Sequence, residues 1–185
     1  AGVSGFQVHI GAGKVTNPGD YCDALVAMNP AALKANRKWL KKDATVIIDG
    51  DTLTEDNIKK AGYATMDPIT ELGLEDYNVV IPTITTMTKA ALADMGLDNK
   101  SVLKSRNMFA LGLVCWLFNR PVDKAVEFLE SKFQKKPQLI APNVKVLTDG
   151  FNYGQNLALN VQTMNIEKSH ELPKGTYTSI AGNKA

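Results

Sequence analysis

The chain has 185 residues, 44% of them hydrophobic and 22% charged, with a formal net charge of +2. That balance is globular and excludes a collagen-like or disordered chain, and so small a charge predicts no strong attraction to nucleic acid or to an anionic membrane. The longest apolar stretch, counting glycine, is 108–118, too short to cross a bilayer, and the length suffices for one domain that folds without disulfide or metal.

Residues 6–10 alternate apolar and polar, the period of a half-buried strand, and Gly11-Ala12-Gly13 turns the chain after them. Asn17-Pro18-Gly19-Asp20 is strong turn chemistry. The apolar run 24–28 and the β-branched run 45–48 read as strands. Between them, 31–42 carries Leu33, Ala35, Trp39 and Leu40 at positions that suit a one-sided helix, with Asn29 placed to cap it and Pro30 in its first turn. Strand, helix and strand with short connections make a βαβ unit and hence a parallel sheet.

Asp49-Gly50-Asp51 follows the second strand, and Thr52 with Glu55 has capping-box spacing before a short helix at 56–60. A third strand is expected at 77–81, ended by Pro82, and a helix over 87–95, stopped by Gly96. Residues 101–118 predict a central, largely buried helix, because its apolar residues cover nearly every face toward its end. An amphipathic helix follows at 121–135, with Val122, Ala125, Val126, Leu129 and Phe133 on one face. Residues 144–156 are less regular, and the polar tail from 160 has room for one strand at 176–180. The class is α/β: a Rossmann-like parallel sheet with flanking helices, then a helical pair and a C-terminal extension.

Few motifs survive a chemical test. Gly11-Ala12-Gly13-Lys14 invites a phosphate-loop reading, but Val8 and Val15 stand where a Walker loop needs glycine and a hydroxyl, and Thr16 replaces the third glycine of a dinucleotide fingerprint. It reads as a turn. His9 and His170 have no companion at ligand spacing, so no metal site is expected. The two cysteines, Cys22 and Cys115, form no CxxC pair and cannot ligate a four-cysteine cluster; Cys115 reads as a buried small hydrophobe, and a reducing cytoplasm fits both. Asn99-Lys100-Ser101 matches the glycosylation triplet by chance. No Gly-x-Ser-x-Gly elbow is present, and no catalytic residue emerges from spacing. Asp49 and Asp51 sit at a strand's carboxyl end, where open α/β sheets place ligands, or else they are loop acids that cap the next helix. Lys34, Arg37, Lys38, Lys41 and Lys42 make a basic helix, read as a solvated face or as a docking surface for an acidic partner or a phosphorylated ligand.

Four stretches in this order carry a resemblance: Asp23-Ala24-Leu25-Val26-Ala27-Met28-Asn29, Ala44-Thr45-Val46-Ile47-Ile48-Asp49, Arg106-Asn107-Met108-Phe109-Ala110-Leu111-Gly112, and the 128–150 region with Phe128-Leu129-Glu130 and Lys132-Phe133. Together they resemble the gamma domain of 2-oxoacid:ferredoxin oxidoreductases. That family decarboxylates pyruvate, 2-oxoglutarate or related acids to the acyl-CoA, using thiamine diphosphate with Mg²⁺, iron–sulfur clusters and coenzyme A. The resemblance covers roughly 5–153 and implies a gamma domain over 1–158. Residues 159–185 would then be an extension leading, as in fused subunits of the family, toward the thiamine-binding alpha domain. It further implies a beta subunit and ferredoxin as partners, and neither nucleic acid nor membrane.

On this reading the chain binds no cofactor alone. It packs on the catalytic core and helps to close over coenzyme A, through Asn29, Asp49 and Gly50 at strand ends and Asn107 at a buried helix start. Asn29 and Asn107 have an equal structural alternative as helix caps. The resemblance also implies that the sheet's first strand and helix stand before residue 1, leaving an open edge or groove. There is no initiator Met and no charged-then-apolar leader. Two other readings remain: a free-standing nucleotide- or coenzyme A-binding protein, and a dimerisation module built on the helices at 101–118 and 121–135.

Overall fold

The computed structural model describes residues 3–157, 161, 163–169, 171, 173 and 175. Three strands, β1 (Cys22–Ala27), β2 (Leu40–Ile48) and β3 (Asn78–Val80), form a parallel sheet in the order β1-β2-β3. Both faces are covered, which is why the strands read as continuous apolar runs. Val46 and Ile48 of β2 pack with Ala27, Leu33 and Leu74 on one side, while Ile47 packs with Val80, Ile84 and Phe109 on the other.

Helix α1 (Pro30–Asn36) crosses from β1 to β2 and is capped as expected, Asn29 Oδ1 accepting from the Ala32 N–H at 2.8 Å. The predicted helix 31–42 is too long. A single 3-10 turn, Arg37–Trp39, ends it, and Leu40 already belongs to β2, buried beside Cys22. The pairing jumps from Cys22–Leu40 to Ala24–Thr45, so β2 carries a bulge in which 41–43 are exposed, with Asp43 at φ 61°, while Ala44 returns to the core. The helix-like spacing of Lys41, Lys42 and their neighbours is the spacing of that bulge. Trp39 and Ala35 accordingly face solvent.

Beyond β2 come a 3-10 turn (Gly50–Thr52), α2 (Glu55–Lys60) and α3 (Pro68–Glu71). The cap of α2 is Thr54, which accepts from the Asn57 N–H, whereas the Thr52 hydroxyl donates to the Asp49 carbonyl oxygen at 2.7 Å. The capping-box reading was therefore two residues out, because Thr52 is absorbed into the preceding turn. Asp67 caps α3. Helix α4 (Ile84–Ala91) starts three residues before the predicted 87; a 3-10 turn (Ala93–Met95) follows, and Gly96 at φ 62° ends it in the left-handed region that glycine tolerates.

Helix α5 (Asn99–Leu117) is capped by Asp98, whose carboxylate accepts from the Ser101 N–H at 2.9 Å and from its hydroxyl at 2.6 Å. These bonds hold the Asp98 carboxyl below the usual carboxylate range. Helix α6 (Asp123–Lys132) buries Leu129 and half-buries Val122, Ala125, Val126 and Phe133. The irregular 144–156 stretch is in fact the interior of one long helix, α7 (Ile140–Leu157). It is α7, not α6, that lies along α5. The two backbones meet at Gly112 and Gly150, and Gly154 makes room for the Trp116 side chain. A Cβ on Gly112 would stand 2.1 Å from the Leu147 carbonyl oxygen, one on Gly150 2.1 Å from that of Phe109, and one on Gly154 2.4 Å from the Trp116 ring. Side chains would hold ordinary helices about 8–10 Å apart; at Gly112 and Gly150 none intervenes.

The predicted strand at 6–10 does not form. These residues have no regular secondary structure and pair with no strand among the described residues, with Phe6 93% exposed. The possible strand at 176–180 and His170 lie outside the described residues.

One buried polar group stands out in α4. The Thr88 hydroxyl, on a residue 1% exposed, has no hydrogen-bond partner among the described residues. An unpaired buried hydroxyl costs about 1–3 kcal/mol. Thr88→Val is therefore expected to raise stability by about 1 kcal/mol, read as a later urea midpoint.

Candidate functional site

The carboxyl ends of the strands form a crest built by Met28-Asn29, Asp49-Gly50-Asp51 and Ile81-Pro82. The Asp49 N–H donates to the Ala27 carbonyl oxygen at 3.3 Å and the Gly50 N–H to that of Pro82 at 2.8 Å, so the ends of all three strands are tied together. Gly50 is closely packed: a Cβ there would stand 3.1 Å from Ile81 Cγ2 and 3.4 Å from the carbonyl oxygens of Ile81 and Pro82.

Two carboxylates organise the crest. Asp49 is fully buried, and its Oδ1 accepts from the Ile84 N–H at 3.1 Å and the Asp51 N–H at 3.2 Å, while Oδ2 accepts from the Thr85 hydroxyl at 2.9 Å. Asp51 accepts from both the N–H and the hydroxyl of Thr86 at 2.7 Å. Helix α4 has no side-chain cap of its own at Thr83. Its N-terminal donors are satisfied instead by two acids from the end of β2, 35 residues away. The acids do cap a helix, but not the next one. A pair of acids around a glycine at a strand end and a Thr-Thr pair in a later helix's first turn were the available signal.

Asn29 stands exposed beside this crest with its carbonyl oxygen accepting from the Leu33 N–H at 3.2 Å. Asn107 does not join it. The residue is neither buried nor at a helix start: it lies in the middle of α5, exposed to solvent, so of its two readings the helix-cap one is excluded.

The basic face is less free than its composition suggests. The Lys34 ammonium donates to the Gly62 carbonyl oxygen, lies 3.6 Å from the Glu71 carboxylate and sits 4.5 Å from the centre of the Tyr63 ring. Arg37 Nε donates to the Leu72 carbonyl oxygen at 2.8 Å and its guanidinium stacks over Tyr77. Lys41 pairs with Asp23 at 2.8 Å on the surface. Lys34 and Arg37 thus staple α1 to the segment after α2, as packed cations do on aromatic faces. Glu71 is held below the usual carboxylate range by the N–H groups of Thr65 and Ala64.

Tyr63 completes that staple, its hydroxyl donating to the Pro30 carbonyl oxygen at 2.9 Å. Burial, and secondarily the Glu71 charge, push its pKa from 10 up to about 12. A group whose pKa is raised on folding contributes stability below its unfolded value. The folded chain should therefore lose stability as the pH rises from 10 to 12. Tyr63→Phe should flatten that part of the profile in urea titrations.

Burial also raises the pKa of Cys22 and Cys115, which keeps both as thiols at neutral pH and away from nucleophilic chemistry. Among the described residues no three of His, Cys, Asp and Glu converge to hold a metal ion, and the chain's two cysteines fall short of the four thiolates of an iron–sulfur cluster. A concavity of about 390 Å³ runs along β3, which is an edge strand among the described residues, between Tyr77, Val79 and Ile81 on one side and Tyr153, Leu157 and Val161 on the other. No helix among the described residues is long and apolar enough to cross a membrane.

Comparison with known proteins adds what geometry leaves open. The chain is 40% identical over 184 residues to the 2-oxoglutarate oxidoreductase subunit KorA of Mycobacterium tuberculosis, matching 100% of this chain and 28% of that one. It thus spans little more than a quarter of that relative's length. Its fold also matches the 2-oxoglutarate:ferredoxin oxidoreductase of Magnetococcus marinus, solved with 2-oxoglutarate, coenzyme A and succinyl-CoA bound. There the TM-score is 0.60 and the identity 21%, over 86% of this chain and 24% of that one. The sequence profile of pyruvate ferredoxin/flavodoxin oxidoreductases matches residues 1–153. The Rossmann-like sheet, the ordered motifs along it and these matches agree, and the chain belongs to the pyruvate ferredoxin/flavodoxin oxidoreductase family.

Proposed function

We propose that this chain is a non-catalytic domain of an oxidoreductase that oxidatively decarboxylates a 2-oxoacid, preferentially 2-oxoglutarate, to the acyl-CoA with ferredoxin as acceptor. The observation that carries this reading is the 40% identity along the whole chain to a 2-oxoglutarate oxidoreductase subunit. Thiamine diphosphate with its Mg²⁺ and the iron–sulfur clusters belong to other parts of that enzyme. Residues 1–158 act as the gamma domain, and 159–185 lead toward a thiamine-binding alpha domain that, with a beta subunit, forms the catalytic core. The enzyme works in the cytoplasm.

Within that assembly the crest is the part of this domain that faces the acyl acceptor, coenzyme A. Asn29 and Gly50 form its lip. Gly50 keeps the backbone low, and Asn29 fixes the first turn of α1. Asp49 lies beneath as a positioning residue, holding β2 against α4 so that the lip moves as one body. Asn107, exposed on α5, belongs to a different surface and contributes as a contact to the catalytic core. The domain closes over coenzyme A without doing chemistry on it.

The test compares the isolated chain with the intact enzyme in an assay containing 2-oxoglutarate, coenzyme A and ferredoxin. The isolated chain should show no turnover, and the intact enzyme should reduce ferredoxin only with coenzyme A present. Turnover by the isolated chain, or a preference of the intact enzyme for pyruvate, would refute the reading. Calorimetric titration of coenzyme A into the isolated chain should show no micromolar binding; a micromolar constant would instead identify a free-standing coenzyme A-binding protein.

A further inference from the structure

The described residues leave one side of α5 uncovered. The helix packs against α7 and α4, and Phe109, Leu113 and Trp116 are buried. On the remaining side lie Leu103, Asn107, Leu111 and Val114, within an arc of about 80° at 3.6 residues per turn. Leu103 is 40% and Leu111 36% exposed, Asn107 is exposed and Val114 half-buried. The charge around this row is of one sign. Residues 99–122 contain Lys100, Lys104, Arg106 and Arg120 and no carboxylate, although the whole chain is nearly balanced at +2. None of these four cations enters an ion pair among the described residues.

A helix on the surface of a globular fold turns polar residues to solvent, and one that is apolar all round is buried on every side. Helix α5 follows the second pattern in sequence and lacks the cover on one side. Leu103, Asn107 and Leu111 form an i, i+4, i+8 row, the ridge that seats in the groove of a second helix. At 1.5 Å per residue this ridge is about 12 Å long. A single amide in an apolar seam fixes the register of a helix pair. Lys104 borders the row on one flank and Arg106 on the other, where an interface carries its polar rim.

We infer that this face of α5 is the docking surface for a helix in the rest of the oxidoreductase, one whose apolar stripe is bordered by aspartate or glutamate. The inference rests on the functional reading above and gives the contact at Asn107 its surface and its chemistry. Two observations choose the occupant. The chain spans 28% of its curated relative and 24% of its solved one, so most of such an enzyme lies outside these residues. Charge argues against a second copy. In a parallel pair of α5 helices each cation meets its own counterpart, and in an antiparallel pair Lys100 comes beside the end that carries Arg120. Like charges set together across an interface are repulsive, whereas acidic flanks match all four cations.

A photocrosslinking benzoylphenylalanine in place of Leu111 in the intact oxidoreductase tests the inference, because it keeps the position apolar. Irradiation should join it to a segment elsewhere in the enzyme that has apolar residues at helical spacing with Asp or Glu beside them, located by mass spectrometry. Lys100→Glu with Lys104→Glu, both at exposed positions, should cut the yield of that crosslink by about tenfold. Lys60→Glu, on α2, should leave the yield unchanged. No crosslink in an enzyme that turns over 2-oxoglutarate would overturn the docking surface and leave the functional reading standing. The expected crosslink in an enzyme with no activity on 2-oxoacids would do the reverse. A crosslink between two copies of α5, one to a segment without that pattern, or a yield indifferent to the charge reversals would each overturn the inference.

Discussion

Gly150→Ala is expected to destabilise the chain by more than about 3 kcal/mol, at or beyond the upper end of ordinary over-packing effects. The added Cβ would stand 2.1 Å from the carbonyl oxygen of Phe109 and 2.8 Å from its carbonyl carbon. Neither atom belongs to a side chain that can rotate away, so α5 and α7 must separate along their length. Separation would loosen Phe109 from Tyr153, whose rings now lie 5.7 Å apart, and would open the contacts of Leu113, Trp116 and Val146 in the same cluster. Gly112→Ala should act through the same displacement, since its Cβ would meet the Leu147 carbonyl oxygen. One separation relieves both clashes, so the double variant should cost less than the sum of the singles. Urea denaturation of the three variants measures this directly, and additive costs would mean that the helices yield locally instead.

Asp49→Ala is the second large effect expected, about 3 kcal/mol or more. The side chain is wholly buried and accepts three hydrogen bonds, so its removal strands the N–H groups of Ile84 and Asp51 and the hydroxyl of Thr85. Thr85→Val removes a single bond to the same carboxylate and should cost about 1 kcal/mol. Asp49→Asn should fall between them, because an amide offers one acceptor oxygen where the carboxylate offers two. Apart from urea midpoints, the Ile84 amide should lose its exchange protection in Asp49→Ala and keep it in Thr85→Val. Equal costs for Asp49→Ala and Thr85→Val would show that the two backbone bonds carry no weight.

These expectations mark where the sequence was legible and where it was not. The runs at 24–28 and 45–48 announced parallel strands correctly, because a sheet covered on both faces needs apolar residues at every position, as Val46, Ile47 and Ile48 show by packing on alternate sides. Caps that bond within three residues were also readable, as Asn29 proved. Helix α7 was not. Its Pro142, Gly150, Gly154 and β-branched residues lower intrinsic helix propensity, and the glycines make sense only once α5 lies against them. Propensity is a local quantity, whereas the close approach of two backbones is not.

The same limit explains the crest. Asp49 and Asp51 were singled out at the correct strand end, but their partners, Thr85 and Thr86, are brought there only by the β2–β3 pairing and the turn at Pro82. The alternation at 6–10 has the period of a strand but forms none, since a strand requires a neighbour and none of the described residues supplies one.

The inward turn of the two acids has a kinetic consequence. The positive end of α4 is already compensated by Asp49 and Asp51, and both carboxylates are tethered where a phosphate would otherwise settle. A polyanionic ligand approaching the crest meets no electrostatic funnel there. Two carboxylates outweigh the roughly half positive charge of a helix end, so its association through this domain should run no faster than the unsteered rate of about 10⁵–10⁶ M⁻¹s⁻¹ and should rise with ionic strength. Capture of such a ligand then falls to other surfaces, and this domain follows it in.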